Sequence, residues 1–240
     1  MRILVLSDIH SNLVALDTVL TDAGAVDRVW QLGDIVGYGP DPDGVVARLR
    51  EVGAIGVRGN HDAAAAGGHE IDMFNVDARR AMEWTRARIT PATQSWLAGL
   101  PDVLAVDDWT LVHGSPRDPM WEYITSAQVA RANLARIDTP RGLFGHTHLP
   151  LVFREHDGRI ETLSPAEEGD LPLDARRLLA NPGSVGQPRD GNPQASYAVI
   201  DTTAATLQWA RVVYDIARVQ AAMRTAGLPD RLAARLSFGL

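Results

Sequence analysis

Residues 2–10 read RILVLSDIH. Arg2–Leu6 is a short, continuous apolar run rich in branched side chains, closed by a serine. A run of this length without alternation reads as a strand buried on both faces. Asp8-Ile9-His10 then stands where that strand ends. Further along, Ser11–Leu20 places Leu13, Leu16 and Leu20 on one helical face. Val26–Leu32 (VDRVWQL) reads as a second strand, GDIVGYGPDPDG as a loop, Val45–Glu51 as a helix and Ala54–Val57 as a third short strand. This βαβαβ alternation predicts parallel strands joined by helical crossovers, an α/β class.

The remainder is mixed. Residues 64–100 read as mostly helical, with one helix in DARRAMEWTRARI. A second opens at Thr90-Pro91, a cap followed by a proline at the first helical position. Val103–Val106, Thr110–Val112 and Gly142–Phe144 read as strands, and Gln128–Ile137 as a helix. LVFREHDGRIETL is expected to be a hairpin around Asp157-Gly158. ASYAVIDTTAATLQWARV is expected to be another, followed by a helix over Ile216–Ala226. The acidic SPAEEGD stretch is the one candidate flexible segment, and NPGSVGQPRDGNP reads as loop throughout.

Composition narrows the function classes. The chain has 240 residues, 45% of them hydrophobic and 22% charged, as expected of a globular protein. With no cysteine, disulfides, thiolate metal sites and cysteine nucleophiles are excluded. All 23 basic residues are arginine, which excludes lysine chemistry such as Schiff bases. The net charge of −7 argues against a general nucleic-acid-binding surface. No apolar run approaches the ~18 residues of a membrane span. The N-terminus lacks a signal-peptide pattern, so a cytoplasmic location is expected.

Five short motifs fall where strands are expected to end: Asp8-Ile9-His10, Gly33-Asp34, Gly59-Asn60-His61-Asp62, His113-Gly114 and Gly145-His146-Thr147-His148. In open α/β sheets, ligands bind beyond the carboxyl ends of strands. Singly, most of these motifs are weak. An isolated D-x-H is more often incidental than a metal site, and Asp34 could be plain turn chemistry. His146 and His148, two apart on extended backbone, would point to one side. Together the motifs are far more specific, because they take five of the seven histidines and leave His69 and His156 in polar loops.

In this order the motifs resemble the calcineurin-like metallophosphoesterase superfamily. The later NPGSVGQPRDGNPQASYAVID is similar to its small bacterial and archaeal phosphodiesterase branch. The resemblance implies a four-layer α/β/β/α sandwich, two mixed sheets flanked by helices, as a single domain over residues 1–240. It also implies a dinuclear centre of divalent ions, with Mn²⁺ favoured and Fe, Zn²⁺, Co²⁺ or Ni²⁺ also compatible with His/Asp/Asn donors. By resemblance, Asp8, His10 and His148 hold the first ion, Asn60, His113 and His146 the second, and Asp34 bridges them. A hydroxide bridging the metals would attack phosphorus. The two carboxylates and that hydroxide leave about one positive charge for a phosphate, and a neutral Asn60 preserves it. His61 is then left over beside Asn60. It matches the family's catalytic histidine, a general acid for the leaving group. Asp62 either orients His61 or caps a helix.

Asn12, Arg58 and Arg189 are candidate substrate contacts, with a surface role equally open for Arg58, and Ser184 could border the same mouth. Tyr38, Trp121 and Tyr123 could line a pocket, although packing explains them equally well. The expected partner is a small phosphorylated substrate. Within the enzyme class, a phosphodiesterase or phosphatase, a symmetrical diadenosine tetraphosphate hydrolase and a serine/threonine protein phosphatase all remain open. A non-catalytic scaffold of the same fold is the reading from a different class. The retromer subunit that resembles the family lacks the histidine equivalent to His61, which this chain has.

Overall fold

A computed structural model describes residues 1–165 and 169–240. Ala166–Glu168, the middle of the SPAEEGD stretch, lie outside the described residues. Strand β1 (Arg2–Leu6) shows why its run is continuously apolar. Ile3 and Val5 face the space between two sheets, whereas Leu4 and Leu6 face helices on the other side. All four are buried to within 1%. Each such burial contributes about 1.5–3 kcal/mol relative to exposure.

β1 runs parallel to β2 (Arg28–Gln31), which runs parallel to β3 (Ile55–Gly56). Helices α1 (Leu13–Asp22) and α2 (Pro42–Glu51) form the crossovers. α2 begins three residues before the expected Val45, because Asp41 caps it by accepting from Gly44 N–H and Pro42 fits the first turn. On the other side of β1, antiparallel β11 (Ala195–Asp201), β12 (Thr206–Val212) and β9 (Leu171–Pro172) complete a six-stranded mixed sheet.

The second sheet has the order β4-β5-β6-β10-β7-β8. Hairpin β4 (Val103–Val106) with β5 (Trp109–Val112), and hairpin β7 (Pro150–His156) with β8 (Arg159–Leu163), flank parallel β5, β6 (Arg141–Leu143) and β10 (Leu178–Pro182). β10 corrects the loop reading of the segment beginning at Asn181. Asn181 and Pro182 end a fully buried central strand, and the loop starts after them. Pro182 sits at the strand end, where a missing N–H does least harm to the ladder.

Trp30, Leu32, Trp109, Leu111, Leu143 and Leu178 pack between the sheets. Helix α6 (Ala127–Leu134) covers the outer face of the second sheet through Ala130 and Leu134. α1, α2, α3 (Asn60–Ala65), α4 (Val76–Arg86), α5 (Pro91–Ala98), α7 (Ile216–Thr225) and α8 (Asp230–Arg235) cover the outer face of the first. Thr90 caps α5 as expected, accepting from Thr93 N–H. The four layers follow from this: two mixed sheets face to face, each with helices behind it. A sheet packed on a second sheet is set by contacts between β1 and distant strands, which local periodicity does not encode.

Candidate metal centre and active site

The carboxyl ends of parallel strands from both sheets meet at one edge of the sandwich. β1 leads to Asp8 and His10, β2 to Asp34, β3 to Asn60, β5 to His113, β6 to His146 and His148, and β10 to Ser184–Arg189. Asp8, His10, Asp34, Asn60, His61, His113, His146 and His148 are all at most 5% exposed. Their backbone is unusual as well. Asp8, His10, Asp34, His146 and His148 all have φ between 50° and 65°. Left-handed backbone costs a non-glycine residue on the order of 1 kcal/mol, and such strain clusters at functional sites. It turns each chain sharply at its strand end, so that the side chains converge.

Two donor groups result. Asp8, His10, Asp34 and His148 bring one atom each within 4.8 Å of one another, and so do Asp34, His113 and His146. Asn60 Oδ1 joins the second group, 3.2 Å from His113 Nε2. Asp34 belongs to both: its Oδ2 lies 3.7 Å from His10 Nε2 and 3.4 Å from His113 Nε2. The other oxygen, Oδ1, is occupied by the backbone N–H of His61 at 2.9 Å. Asp8 is divided in the same way. Its Oδ2 accepts from Ser7 Oγ–H at 2.6 Å and His146 N–H at 3.2 Å, while Oδ1 is buried without a hydrogen-bond partner among the described residues.

The ring tautomers test whether cations fit. His10 Nδ1 faces the Val36 carbonyl at 3.2 Å and His148 Nδ1 the Gln187 carbonyl at 2.6 Å. A carbonyl accepts only, so both Nδ1 atoms carry the hydrogen and both Nε2 atoms present lone pairs. Those lone pairs face each other at 3.2 Å. Burial, reinforced at His148 by Arg189, holds both rings well below the ordinary histidine range, so a proton is a poor remedy. A divalent cation accepting both lone pairs and the free Asp8 oxygen fits. In the second group, His113 Nδ1 donates to the Leu32 carbonyl at 2.9 Å. In the neutral ring, its Nε2 then turns a lone pair toward Asn60 Oδ1 and toward His146 Nδ1, 3.0 Å away. Burial opposes charge on His113, but Asp34 outweighs it and pushes the ring up to about 9. That is the negative field a second cation would meet. Carbonyl partners on Nδ1 are also the arrangement that orients metal-binding imidazoles.

Beside the donor groups lies a cavity of about 120 Å³, lined in part by Asp34, Asn60, His61, His146 and Arg189. His61 belongs to neither donor group. Its ring stacks on Phe74 at 4.4 Å and lies 4.5 Å from Tyr38. Its Nδ1 points at Gly37, where any Cβ would collide with the ring and φ is +90°. Burial lowers His61 to about 4, with Arg189 and His113 adding to the effect and Asp34 opposing it.

The family model for the calcineurin-like phosphoesterase superfamily domain matches residues 1–205. The chain belongs to the calcineurin-like phosphoesterase superfamily. A metallophosphoesterase of Sphaerobacter thermophilus, known from its crystal structure, is 46% identical with a TM-score of 0.90, covering 100% of this chain and 99% of that one. An uncharacterized protein of Methanocaldococcus jannaschii is 35% identical over 99% of this chain and 98% of its own length. Phosphodiesterase YfcE of Escherichia coli is 30% identical over 84% of this chain and 88% of its own length. The superfamily sandwich is thus the fold, phosphoester hydrolysis is the family's chemistry, and the buried His/Asp groups are suited to divalent metals. No helix among the described residues is long and apolar enough to cross a membrane.

The other expected contacts separate. Arg189 lines the cavity, with Nε buried and unpartnered among the described residues. Arg58 is not brought to the cavity; its Nε donates to Asp102 at 2.6 Å, an ion pair near the surface. Asn12 is buried, but its amide is engaged at both ends, with the Gly186 carbonyl and the N–H of Ala15 that opens α1. Ser184 likewise donates to the Asp8 carbonyl. Asp62 does not touch the His61 ring. It accepts from Gly59, Ile35 and Val36 N–H, starting α3 and anchoring the Asp34 turn. Tyr38 and Trp121 line the cavity, and Tyr123 stacks on His146 at 4.1 Å. The sequence does not single out Phe74, because Ile71, Met73 and Val76 around it are apolar as well. The carbonyls of Leu32, Val36 and Gln187 carry no sign, since every residue has one.

Proposed function

We propose that this protein is a phosphodiesterase using two divalent ions, Mn²⁺ favoured, on a small phosphorylated substrate. The observation that carries the reading is Asp34 Oδ2, placed between two buried donor groups. Asp8, His10 and His148 would hold one ion, Asn60, His113 and His146 the other, and Asp34 both. When bound, such a pair lowers the pKa of water and neutralises charge on a phosphoryl group.

The remaining residues have separable tasks. Arg189, whose buried Nε has no hydrogen-bond partner among the described residues, offers a charge-assisted donor to a phosphate oxygen at the cavity wall. His61 delivers the proton to the leaving oxygen. Its low pKa without substrate reflects burial among cations, and a bound phosphate anion beside it reverses part of that effect. Phe74 and Tyr38 pack against the ring and exclude water from it. The 30% identity with phosphodiesterase YfcE supports a diester over a monoester.

The test is hydrolysis by metal-stripped protein given Mn²⁺, Fe²⁺, Zn²⁺, Co²⁺ or Ni²⁺. The panel is a bis-aryl phosphodiester, an aryl monoester, cyclic nucleotides, diadenosine tetraphosphate and a phosphopeptide. Metal-dependent turnover with the diester first is expected. Inactivity with every pairing, with a stable protein partner in pull-downs, would replace this reading by the scaffold.

A further inference from the structure

The catalytic cavity, about 120 Å³, has room for little beyond a phosphoryl group. A second groove, about 650 Å³, adjoins it and shares Tyr38 and Asn75 with it. Ligand pockets for small molecules are typically roughly 300–1,000 Å³, so the groove is of a size to hold the rest of a substrate. Its far wall comes from Arg231, Leu232, Ala234 and Arg235 of α8, and from Phe238 beyond it. This wall lies outside residues 1–205, the part matched by the family model.

We infer that this groove seats the leaving-group half of the substrate, a ring-bearing alcohol with a negative charge of its own, of the nucleoside phosphate class. The inference rests on the phosphodiesterase reading. Three observations carry it. First, His61 lines the cavity next to the residues that the cavity shares with the groove. It is held between Tyr38, which both spaces share, and Phe74, the chain neighbour of shared Asn75. A proton donor in that position serves an oxygen leaving toward the groove. Second, the walls are mixed. Leu232 is buried in the wall, while Val76 and Phe238 are 69% and 62% exposed. Aromatic and guanidinium faces both stack on planar rings. Third, Arg231 and Arg235 line the groove together with Asp77. Arg235 Nε donates to a main-chain oxygen of Leu240, which also lines the groove, and this holds Arg235 in the wall. Burial and the nearby Arg189 bring Arg235 down to about 10, so cations crowd where the groove meets the cavity. A leaving group with a negative charge of its own would pair with these guanidinium groups.

In the step, the oxygen of water bonds to phosphorus. The P–O bond to the leaving group breaks with its electron pair on the leaving oxygen, and His61 protonates that oxygen. Water loses one proton to solvent and His61 regains one, so the sum is diester plus water giving monoester plus alcohol.

The experiment compares a 5′-phosphorylated dithymidine dinucleotide, whose leaving group is thymidine 5′-phosphate, with the same dinucleotide lacking the 5′-phosphate. The wild type is expected to favour the phosphorylated form about tenfold in kcat/KM, the worth of one good arginine–phosphate contact. Arg231→Ala should narrow that preference to roughly threefold or less. Ala234→Trp, which fills the groove from an exposed position, should lower the ratio of dinucleotide to p-nitrophenyl phosphate turnover by about tenfold. Calorimetry with thymidine 5′-phosphate alone, without turnover, should show binding weakened in Ala234→Trp. A preference untouched by both variants, or nucleotide binding that ignores Ala234→Trp, overturns the groove. If no ester is hydrolysed but thymidine 5′-phosphate binds and Ala234→Trp abolishes it, the phosphodiesterase reading fails and the groove stands.

Discussion

The backbone N–H of His61 donates to Asp34 Oδ1 at 2.9 Å, leaving Asp34 Oδ2 to face both His113 and His10. One peptide group thus selects which carboxylate oxygen faces both donor groups, and links the proposed general acid to the proposed bridge. Burial opposes ionisation of Asp34, but His113 and His61 hold it well below the usual carboxylate range. Asp34→Asn keeps an acceptor for His61 N–H and removes the charge. Metal content after reconstitution should fall from about two ions per chain to less than about one, because both sites lose a shared anion. Two fully retained ions would remove Asp34 from the bridging role.

His61→Ala should separate metal binding from turnover. The ring joins neither donor group, so metal content should stay near wild type by elemental analysis. Turnover of a diester with an alkoxide leaving group should fall about 10²–10⁴-fold, the usual worth of a positioned acid. The loss should be smaller for p-nitrophenolate, which leaves without help. Equal losses on both substrates would point to a disturbed site instead.

Asp62→Ala is expected to act on stability first. It deletes bonds to Gly59, Ile35 and Val36 N–H, all buried. At roughly 1 kcal/mol for each of three bonds, the cost is about 3 kcal/mol. For a chain of this size that lowers Tm by about 6–12 °C, readable by calorimetry on matched metal-free samples. An unchanged Tm would mean that the Asp34 turn holds without this anchor.

Glu122 predicts a pH dependence in acid. Burial pushes its carboxyl up, but Arg117, Ser115 and Asn133 outweigh that and bring it down to about 2 from 4.5. A depressed carboxylate pKa stabilises the fold above about pH 4.5, and the contribution is lost as pH falls toward about 2. After discounting for partial exposure, it is about 2 kcal/mol. Glu122→Gln should lose this amount near neutral pH and show a flatter acid limb in denaturant titrations. Parallel curves for the two proteins would refute it. The network matters to the site because it shapes the turn from Ser115 to Tyr123, which lays Tyr123 on His146.

Much of the site was readable because its chemistry lies in residue types at strand ends. Asp8, His10, Asp34, Asn60, His113, His146 and His148 converge as the ordered motifs implied, and His61 stays apart from both donor groups. Arg58 is open in the sequence between a phosphate contact and a surface role, since an arginine beside a motif says nothing of its direction, and here Asp102 draws it toward the surface. β10 was hidden because Asn181 and Pro182 are loop-forming residues placed at the end of a buried strand. α8 was hidden as well, since six residues with no side-chain cap leave little periodicity to detect.

The sequence by itself determined the donor residue types, their order, the apolar run of β1 and the additional histidine beside Asn60, because each is a property of local residues. Tertiary structure alone decided which oxygen of Asp34 is shared, which nitrogen of each ring is free, and what stands behind His61. Those depend on carbonyls of Leu32, Val36 and Gln187, and on a groove wall from α8. Backbone groups are identical in every residue. Only folding, by bringing strand ends from two sheets to one edge, gives particular ones a role.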